Sequence, residues 1–246
     1  MLELRGKTAL ITGAAHRLGR ACARALAEEG MNIVVHYHRS EKTAVELVSE
    51  LQNGGVEALA LGGDLSSETA CRSVILRAEQ QMGSIFSLIN NASIFAPSHI
   101  GNFTRDELAL NVQVNAYAPL VLSREFARLT AARVIVNFLD SRIGDYDKEH
   151  AAYHLSKRML FSVTRMLALE LAPKIRVSAV APGLILPPPG EDEDYLESKK
   201  QTLPLESYGD TGDVAAAVRF LLASTFVTGQ VIYVDGGRHM QTAVYG

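Results

Sequence analysis

The chain has 246 residues, of which 48% are hydrophobic, so it can bury one large core. Its formal charge of -3 and pI near 6.2 exclude a basic nucleic-acid-binding surface. The sequence contains no run of about eighteen apolar residues, which a membrane-spanning helix would need. Cys22 and Cys71 lie in helical patterns without CxxC or metal-ligand spacing, and no secretory signal opens the chain. We therefore expect a cytoplasmic protein with reduced thiols and no metal site.

The first half of the chain alternates short apolar strands with amphipathic helices. Strands are predicted at 7–11, 31–36, 56–61 and 85–89. The first helix continues from residue 19 through Ala27, and further helices are predicted at 41–52 and 67–82.

The second half continues the alternation. Strands are predicted at 134–139, 176–180 and 230–234, and helices at 105–131, 150–171 and 213–224. Pro119 is expected to kink the first of these helices. Seven strands alternating with helices predict one α/β domain over residues 1–246, with a doubly wound parallel seven-stranded sheet (Rossmann fold) between two helical layers. Ligands should bind at the carboxyl ends of its strands.

One segment breaks this alternation. Residues 182–208 contain three consecutive prolines and an acidic run, without strand periodicity. The segment is either a solvated surface loop or a lid. Because it follows directly from the sixth strand, where the ligand crevice should lie, we favour a substrate lid around 183–208.

A glycine-bearing turn follows the first strand. The residues from Thr12 to Gly19 open a helix, so their amides and the positive helix end can receive a pyrophosphate. The usual dinucleotide fingerprint has three glycines, whereas this chain has Gly13 and Gly19 with Arg17 between them. A cation at a helix N-terminus opposes the helix dipole, which favours an anion bound beside Arg17; a solvent-facing side chain is the alternative.

The end of the second strand indicates which nucleotide is bound. NAD-binding proteins commonly place a carboxylate there to hold the ribose, but this chain reads His36-Tyr37-His38-Arg39-Ser40. Arg39, Ser40 and His38 could hold a 2′-phosphate by charge and hydrogen bonds, which favours NADPH over NADH. A polar turn in which Ser40 caps the next helix is compatible with this role.

An acid, a tyrosine and a lysine follow the fifth strand. Tyr153 and Lys157 are four residues apart, so on a helix they share one face, and an ammonium beside a phenol would lower the pKa of Tyr153. Tyr153 would then be a usable acid near neutral pH. The pair alone also fits a surface tyrosine above an exposed lysine on any helix.

Six motifs, taken together and in order, resemble the short-chain dehydrogenase/reductase family over essentially the whole chain. They are Thr12-Gly13-x-x-x-Arg17-x-Gly19, Asp64, Asn90-Asn91-Ala92, Asn115, Tyr153-x-x-x-Lys157 and Pro182-Gly183. Within that family the chain is most similar to pteridine reductases and bacterial dihydromonapterin (dihydrofolate) reductases. Four departures from the wider family carry this likeness: Arg17 in place of a glycine, the run 36–40, Ser93 with Phe95, and Asp140 in place of a serine.

The resemblance implies roles for individual residues. Asp140, Tyr153, Lys157 and Asn115 would be catalytic, with Asn115 holding a helix kink and a water that supplies protons to Lys157. The substrate would meet Arg17, Ser93, Phe95, Asp140 and Tyr153, with Phe95 stacking on a pterin; ordinary core packing is the alternative for Phe95. NADPH would be bound by Gly13, His16, Arg17, Leu18, Gly19, His38, Arg39, Ser40, Asp64, Leu65, Asn91, Ala92, Ser93, Tyr153, Lys157, Pro182 and Gly183.

Asp140 is the departure that bears on the substrate. In ketone-reducing members of the family, a serine thirteen residues before the tyrosine donates a hydrogen bond to the carbonyl, and Asp140 stands at that spacing. A carboxylate would repel a developing oxyanion but can accept hydrogen bonds from the amino and ring N–H groups of a pterin. A shift of one residue would instead restore a serine, Ser141.

The predicted function is NADPH-dependent reduction of a C=N bond in a dihydropterin or dihydrofolate, giving the tetrahydro form. The proton donor stays open between Asp140, Tyr153 and water. The alternatives are a reductase of a 3-oxoacyl thioester or small ketone, and a non-catalytic NADPH-binding protein on the same fold. The resemblance also implies a homotetramer whose interfaces use the helices at 105–131 and 150–171 and the C-terminal segment. We expect no nucleic-acid or membrane partner.

Overall fold

A seven-stranded parallel sheet forms the centre of the computed structural model, which describes residues 1–188 and 190–241. The strands are β1 Thr8–Ile11, β2 Asn32–Tyr37, β3 Ala58–Gly62, β4 Ile85–Asn90, β5 Val134–Phe138, β6 Arg176–Pro182 and β7 Val231–Val234. Their order in the sheet is β3-β2-β1-β4-β5-β6-β7. The predicted fold class is confirmed, because these apolar runs pair in parallel with helices between them.

Helices cover both faces of the sheet. They are α1 Arg17–Glu28, α2 Glu41–Asn53, α3 Glu68–Met82, α4 Arg105–Val112, α5 Ala118–Phe126, α6 Ala151–Glu170, α7 Glu193–Lys199 and α8 Thr211–Ala223. Helices α1, α2 and α8 pack into one apolar core and α3, α5 and α6 into the other, so the strands lie between two helical layers. Side chains of the central strands alternate between these two cores, as a buried parallel sheet requires.

The chain reverses its direction across the sheet between β1 and β4. It runs outward from β1 to β3 and then returns to β4 on the other side of β1. At this point the Thr12 hydroxyl accepts hydrogen bonds from the amides of Asn91 and Ala92, each at 3.0 Å. A crevice for ligands is expected where such a reversal occurs, outside the carboxyl ends of the strands.

The prediction of one helix over 105–131, kinked at Pro119, is corrected by the structure. The helix ends at Phe126, and its irregularity is a wide π-helical turn, Gln113–Tyr117, placed just before the proline. Proline has no N–H to donate to the carbonyl four residues back, which belongs to Asn115. A wide turn is a common way to absorb such a loss, so the distortion lies upstream of Pro119.

The segment after β6 is more ordered than its sequence predicts. It contains α7, whose first turn uses the acidic run, and the Asp192 side chain accepts a hydrogen bond from the Asp194 amide at 3.1 Å. Acidic residues favour the positive end of a helix, which explains why this run is not simply a solvated loop. Leu184, Leu196 and Leu203 form a small apolar cluster of their own. Within this segment, Pro189 lies outside the described residues.

The described residues include no helix of the length and hydropathy needed to cross a membrane. Across the same ranges, no three His, Cys, Asp or Glu side chains are grouped as a metal site would require. Cys22 and Cys71 are both buried and unbonded to each other. Burial raises the pKa of Cys22 to about 12 and that of Cys71 to about 11, so both stay protonated thiols at neutral pH.

Candidate active site

A cavity of about 1010 Å³ opens at the carboxyl edge of the sheet, and a smaller pocket of about 190 Å³ adjoins it. The two share walls at Arg17, Asp140 and Tyr153. Of the predicted site residues, those that line the larger cavity are Gly13, His16, Arg17, Leu18, His38, Arg39, Ser40, Asp64, Leu65, Asn91, Ala92, Ser93, Phe95, Asp140, Tyr153, Pro182 and Gly183. Lys157 lines the smaller pocket, whereas Gly19 and Asn115 lie behind the walls.

The turn after β1 is built around its two glycines. Gly13 has a φ of +64°, and a Cβ on Gly19 would lie 2.5 Å from both the Gly13 carbonyl oxygen and the Asn91 side chain. The Asn91 side chain donates hydrogen bonds to the carbonyls of Thr12 at 2.9 Å and Gly13 at 3.2 Å. The start of α1 therefore packs closely against the ends of β1 and β4, and its first residues face the cavity.

Arg17 connects this turn to the segment after β6. Its φ of +50° lies in the left-handed region, which costs an ordinary side chain about 1–2 kcal/mol and explains why a glycine suits this position better. Its Nη2 donates a hydrogen bond of 2.8 Å to the carbonyl of Pro187. The side chain is exposed but is held at the cavity wall by this bond.

The ends of β2 and β3 form the other end of the cavity. Asp64 accepts a hydrogen bond of 2.9 Å from the Ser66 amide, which lowers the pKa of Asp64, and its carboxylate lies 3.8 Å from His38 Nε2. Ser40 occupies the N-cap of α2, yet its side chain makes no capping hydrogen bond with the described residues. Its hydroxyl and the exposed Arg39 are thus available to a ligand at the positive end of α2.

His36 is a lining residue for which the sequence predicted no separate role beyond its place in the run 36–40. The Gly13 amide donates to His36 Nδ1 at 3.2 Å, and His36 Nε2 lies 3.1 Å from the Gly63 carbonyl oxygen, so the hydrogen is on Nε2. Burial lowers the pKa of His36 to about 4. A neutral His36 therefore joins the turns after β1 and β3. A histidine within an apolar run was the signal that could have identified it.

Tyr153 and Asp140 meet where β5 ends. The Tyr153 hydroxyl donates to Asp140 Oδ2 at 3.1 Å, and the Arg142 amide donates to Oδ1 at 2.8 Å. Ser141, in contrast, is buried at the start of a short helical turn. The geometry therefore puts Asp140 rather than Ser141 beside the tyrosine.

The expected effect of Lys157 on Tyr153 is wrong in this structure. Burial, followed by the charge and hydrogen bond of Asp140, raises the pKa of Tyr153 well above its usual range. Lys157 Nζ instead donates to the Phe138 carbonyl at 2.7 Å and lies 5.6 Å from the centre of the Tyr153 ring. Burial lowers the pKa of Lys157 to about 8. The carboxylate is thus the charge that dominates the phenol.

Asn115 supports the site from behind. Lying in the π-helical turn, it is fully buried, and its Nδ2 donates at 3.0 Å to both the Ile94 carbonyl and the Ser156 hydroxyl. Its Oδ1 accepts hydrogen bonds from the Ile94 amide at 2.8 Å and the Ser93 hydroxyl at 3.0 Å. Asn115 therefore fixes the loop after β4 to helix α6.

Phe95 stands on that loop at the cavity wall. Its side chain is 46% exposed, which separates it from the apolar core. Its ring stacks on His150 at 3.8 Å with an interplanar angle of 17°, and it meets the Tyr153 ring nearly at right angles at 4.7 Å. The loop is also fixed to the start of α6, because the Ala152 amide donates to the Ser98 hydroxyl at 3.0 Å.

The cavity has further polar lining residues that no sequence motif indicated. They are Arg142, Asp147, His150, Tyr195 and Arg238. Arg142 donates to Asp147 at 2.8 Å, and His150 Nδ1 lies 3.3 Å from the same carboxylate. Arg238 follows β7, so the rule that ligands bind beyond the carboxyl ends of parallel strands was the signal that could have found it.

Comparison with known families and structures gives consistent matches. The family described as enoyl-(acyl carrier protein) reductase matches residues 13–239. FolM alternative dihydrofolate reductase 1 from Brucella canis, solved in complex with NADP, superimposes with a TM-score of 0.91 at 30% identity, covering 99% of this chain and 98% of that one. A blue fluorescent protein from a metagenomic library, solved with NADPH, has a TM-score of 0.88 at 29% identity, with coverages of 96% and 99%.

Two proteins that match this chain by sequence are named as reductases of other substrates. Versicolorin reductase stcU from Emericella nidulans is 32% identical, with 96% of each chain covered. The 3-oxoacyl-[acyl-carrier-protein] reductase FabG of Staphylococcus aureus is 30% identical, covering 95% of this chain and 98% of the relative. The relatives therefore share one fold and overall length but differ in the substrates that their names indicate.

Proposed function

This chain belongs to the short-chain dehydrogenase/reductase family, and we propose that it reduces a C=N bond of a pterin with NADPH. Membership makes it an oxidoreductase, because the matched relatives and structures are reductases over nearly the whole chain.

The cavity fits NADPH. A Cβ at Gly19 would collide with the backbone of the first turn, so the glycine would let a pyrophosphate approach the start of α1 closely. Arg39, Ser40 and His38 would hold the 2′-phosphate, and Asp64 and Leu65 the adenine. The remaining contacts, on the ribose and nicotinamide side, would come from Asn91, Ala92, Ser93, Tyr153, Lys157, Pro182 and Gly183. When bound, NADPH supplies the hydride for the reduction.

The observation that carries the pterin proposal is the Asp140 carboxylate beside Tyr153. Both of its oxygens are oriented by hydrogen bonds, and it lines both parts of the cavity. A fixed carboxylate is unfavourable beside a developing oxyanion, whereas it matches the amino and ring N–H donors of a pterin. The exposed face of Phe95 adds a ring on which a flat heterocycle can stack.

The other polar residues of the site have different proposed roles. Because its pKa is raised, Tyr153 keeps its proton at neutral pH and, with Asp140, holds that proton near the substrate nitrogen. Lys157 has donors beyond the one given to Phe138, and these can bind ribose hydroxyls. Asn115 acts indirectly, by positioning the loop that carries Ser93 and Phe95.

The segment 183–208 is proposed to close over the substrate as a lid. Arg17 is bonded to Pro187 of this segment, and Leu184, Leu186 and Tyr195 line the cavity. The segment has its own small apolar cluster, so it can move as a unit while its internal packing is kept.

The substrate assignment is tested by following NADPH oxidation by the purified protein. Dihydrofolate, dihydrobiopterin and dihydromonapterin would be compared with an acetoacetyl thioester under the same conditions. We expect turnover of at least one dihydropterin and none of the thioester. Turnover of the thioester alone would overturn the pterin proposal, and bound NADPH that no candidate oxidises would favour a non-catalytic role.

A second candidate is reduction of a 3-oxoacyl thioester or small ketone. The similarity to FabG and to versicolorin reductase favours it. Against it stands Asp140, because its carboxylate, and not the hydroxyl of the buried Ser141, accepts the hydrogen bond of Tyr153. The thioester arm of the experiment separates the two candidates.

A further inference from the structure

Arg238 lines the cavity near Asp140, Arg142 and Tyr195, and it follows β7, which lies at the opposite side of the sheet from β2 and the residues assigned to the 2′-phosphate. Its backbone is fixed, because its amide donates to the Asp235 carbonyl at 3.1 Å. Its guanidinium, however, makes no hydrogen bond or ion pair with any residue in the ranges 1–188 and 190–241. A cation with five donors is thus presented to the cavity.

The surroundings of this guanidinium favour an anion. Arg238 is half-buried, and burial together with the charge of Arg142 lowers its pKa. The buried carboxylate of Asp147 is already paired with Arg142, so it is not a direct partner of Arg238. A half-buried charge without a direct partner is unfavourable, and an anionic group on a ligand would satisfy it.

The neighbouring charges also select the kind of anion. Asp140 and Asp147 are close enough for their negative charges to act on Arg238, so a dianionic phosphate would be repelled more strongly than a monoanion. A guanidinium binds a planar carboxylate through two parallel hydrogen bonds. Tyr195, on helix α7, contributes a further hydroxyl at the same end of the cavity.

We propose that Arg238 binds a carboxylate carried on the part of the substrate that extends beyond its reacting ring. This inference rests on the proposed pterin reductase function and narrows it. The preferred substrate is an acidic pterin, of which dihydrofolate with its glutamate tail is the available example, rather than a neutral pterin with a hydroxylated side chain.

The kinetic test compares dihydrofolate with dihydrobiopterin in the wild type, Arg238→Met, Arg238→Lys and a surface control, Arg5→Met. We expect Arg238→Met to raise KM for dihydrofolate about tenfold or more, the effect of losing a charged hydrogen-bonded pair, with KM for dihydrobiopterin within about twofold. Arg238→Lys should reverse part of the rise in KM for dihydrofolate. Arg5→Met, at an exposed position, should leave KM for both pterins unchanged. Equal changes for both pterins would overturn the proposal.

A binding test separates this inference from the proposed function. Isothermal titration of the NADPH-loaded protein would compare methotrexate, which has a glutamate tail, with 2,4-diaminopteridine, which lacks it. Selective loss of methotrexate affinity in Arg238→Met would support the carboxylate site even if no pterin were reduced. If the wild type bound the two ligands equally, the site would be refuted even if neutral pterins were good substrates.

Discussion

A carboxylate in place of a hydroxyl changes the proton chemistry around Tyr153. In this chain burial, followed by the charge and hydrogen bond of Asp140, raises the pKa of Tyr153, while Lys157 donates a hydrogen bond to a backbone carbonyl. A tyrosine that holds its proton this firmly is a weak acid by itself. The Asp140–Tyr153 pair, and not either residue alone, is therefore the unit that we expect to control protonation of the substrate.

Removal of the carboxylate tests this pair. Asp140→Ala should lower kcat for the dihydropterin at least about tenfold, because a positioned acid–base group typically contributes about 10²–10⁴-fold. The dissociation constant for NADPH should change little, because the cofactor is held mainly elsewhere in the cavity. Asp140→Ser is the matched control, since it restores a hydroxyl donor. Unchanged pterin turnover in Asp140→Ala would contradict the assignment.

Arg39 is the residue expected to distinguish NADPH from NADH. Its exposed guanidinium stands beside the N-terminus of α2, where a 2′-phosphate would sit. Arg39→Ala should raise KM for NADPH about tenfold or more, while KM for NADH stays nearly constant. Lys42→Ala, an exposed cation in the first turn of α2 outside the cavity lining, serves as the control. An equal effect on both cofactors would remove the argument for the 2′-phosphate.

His36 makes the stability of the fold depend on pH. Its folded-state pKa of about 4 lies below the usual 6.5, so protonation favours the unfolded chain. The contribution of neutral His36 to the free energy of unfolding is fully present above pH 6.5. It is lost as the pH falls from there towards 4, by about 3 kcal/mol at most. Urea unfolding at pH 7 and pH 5 should show a smaller loss of stability on acidification in His36→Gln than in the wild type. Equal losses would refute this role.

Single residues were predictable where a local motif exists and not where folding brings distant segments together. Asp140, Tyr153 and Phe95 could be located from spacing and family likeness, and the structure places them side by side. Arg238 reaches the same cavity from the last strand, and His150 meets Phe95 across more than fifty residues of chain. No local pattern encodes those contacts, because they depend on how the strands are ordered in the sheet.

At the level of elements, periodicity predicted the strands and most of the helices. It did not predict the wide turn before Pro119, because a missing N–H can be absorbed at several positions in a helix. Helix α7 was missed as well. Its short acidic sequence is stabilised by capping and by the contact of Leu196 with Leu184 and Leu203, which lie beyond the two ends of the helix.

The connection between the turn after β1 and the segment 183–208 depends on one strained residue. Arg17 has left-handed backbone geometry, and its side chain donates a hydrogen bond to the Pro187 carbonyl. Both Arg17→Ala and Arg17→Gly remove this bond, but only glycine also removes the strain. Arg17→Gly should therefore be more stable than Arg17→Ala by about 1 kcal/mol, after allowing for the entropy of glycine in the unfolded chain.

Chemical unfolding measures the difference in stability between the two variants. Limited proteolysis measures how firmly the segment 183–208 is held. Both variants should be cleaved within 183–208 faster than the wild type, because the bond to Pro187 is lost in each. An alanine variant as stable as the glycine variant would show that the backbone at Arg17 is not strained. Cleavage rates equal to that of the wild type would show that Arg17 does not hold the segment.

At the scale of the whole molecule, the outer face of α6 is unusually apolar. Leu155, Met159, Met166 and Leu169 are spaced along one side of the helix, and Met166 and Leu169 are 68% and 84% exposed. The proposed homotetramer would bury this stripe, since apolar patches of this kind commonly mark protein interfaces. The C-terminal segment, which was also predicted to form an interface, extends into residues 242–246, outside the described residues.

Charged substitutions in the stripe test the assembly. Met166→Glu with Leu169→Glu should convert a tetramer into smaller species in analytical ultracentrifugation, because two carboxylates would have to be buried without partners. Leu76→Glu, at a 56% exposed position on α3, is the matched control and should leave the mass unchanged. A monomeric wild type would refute the tetramer. A tetramer that survives the double substitution would place the interface on another face, and the exposed side of α6 would then need a different explanation.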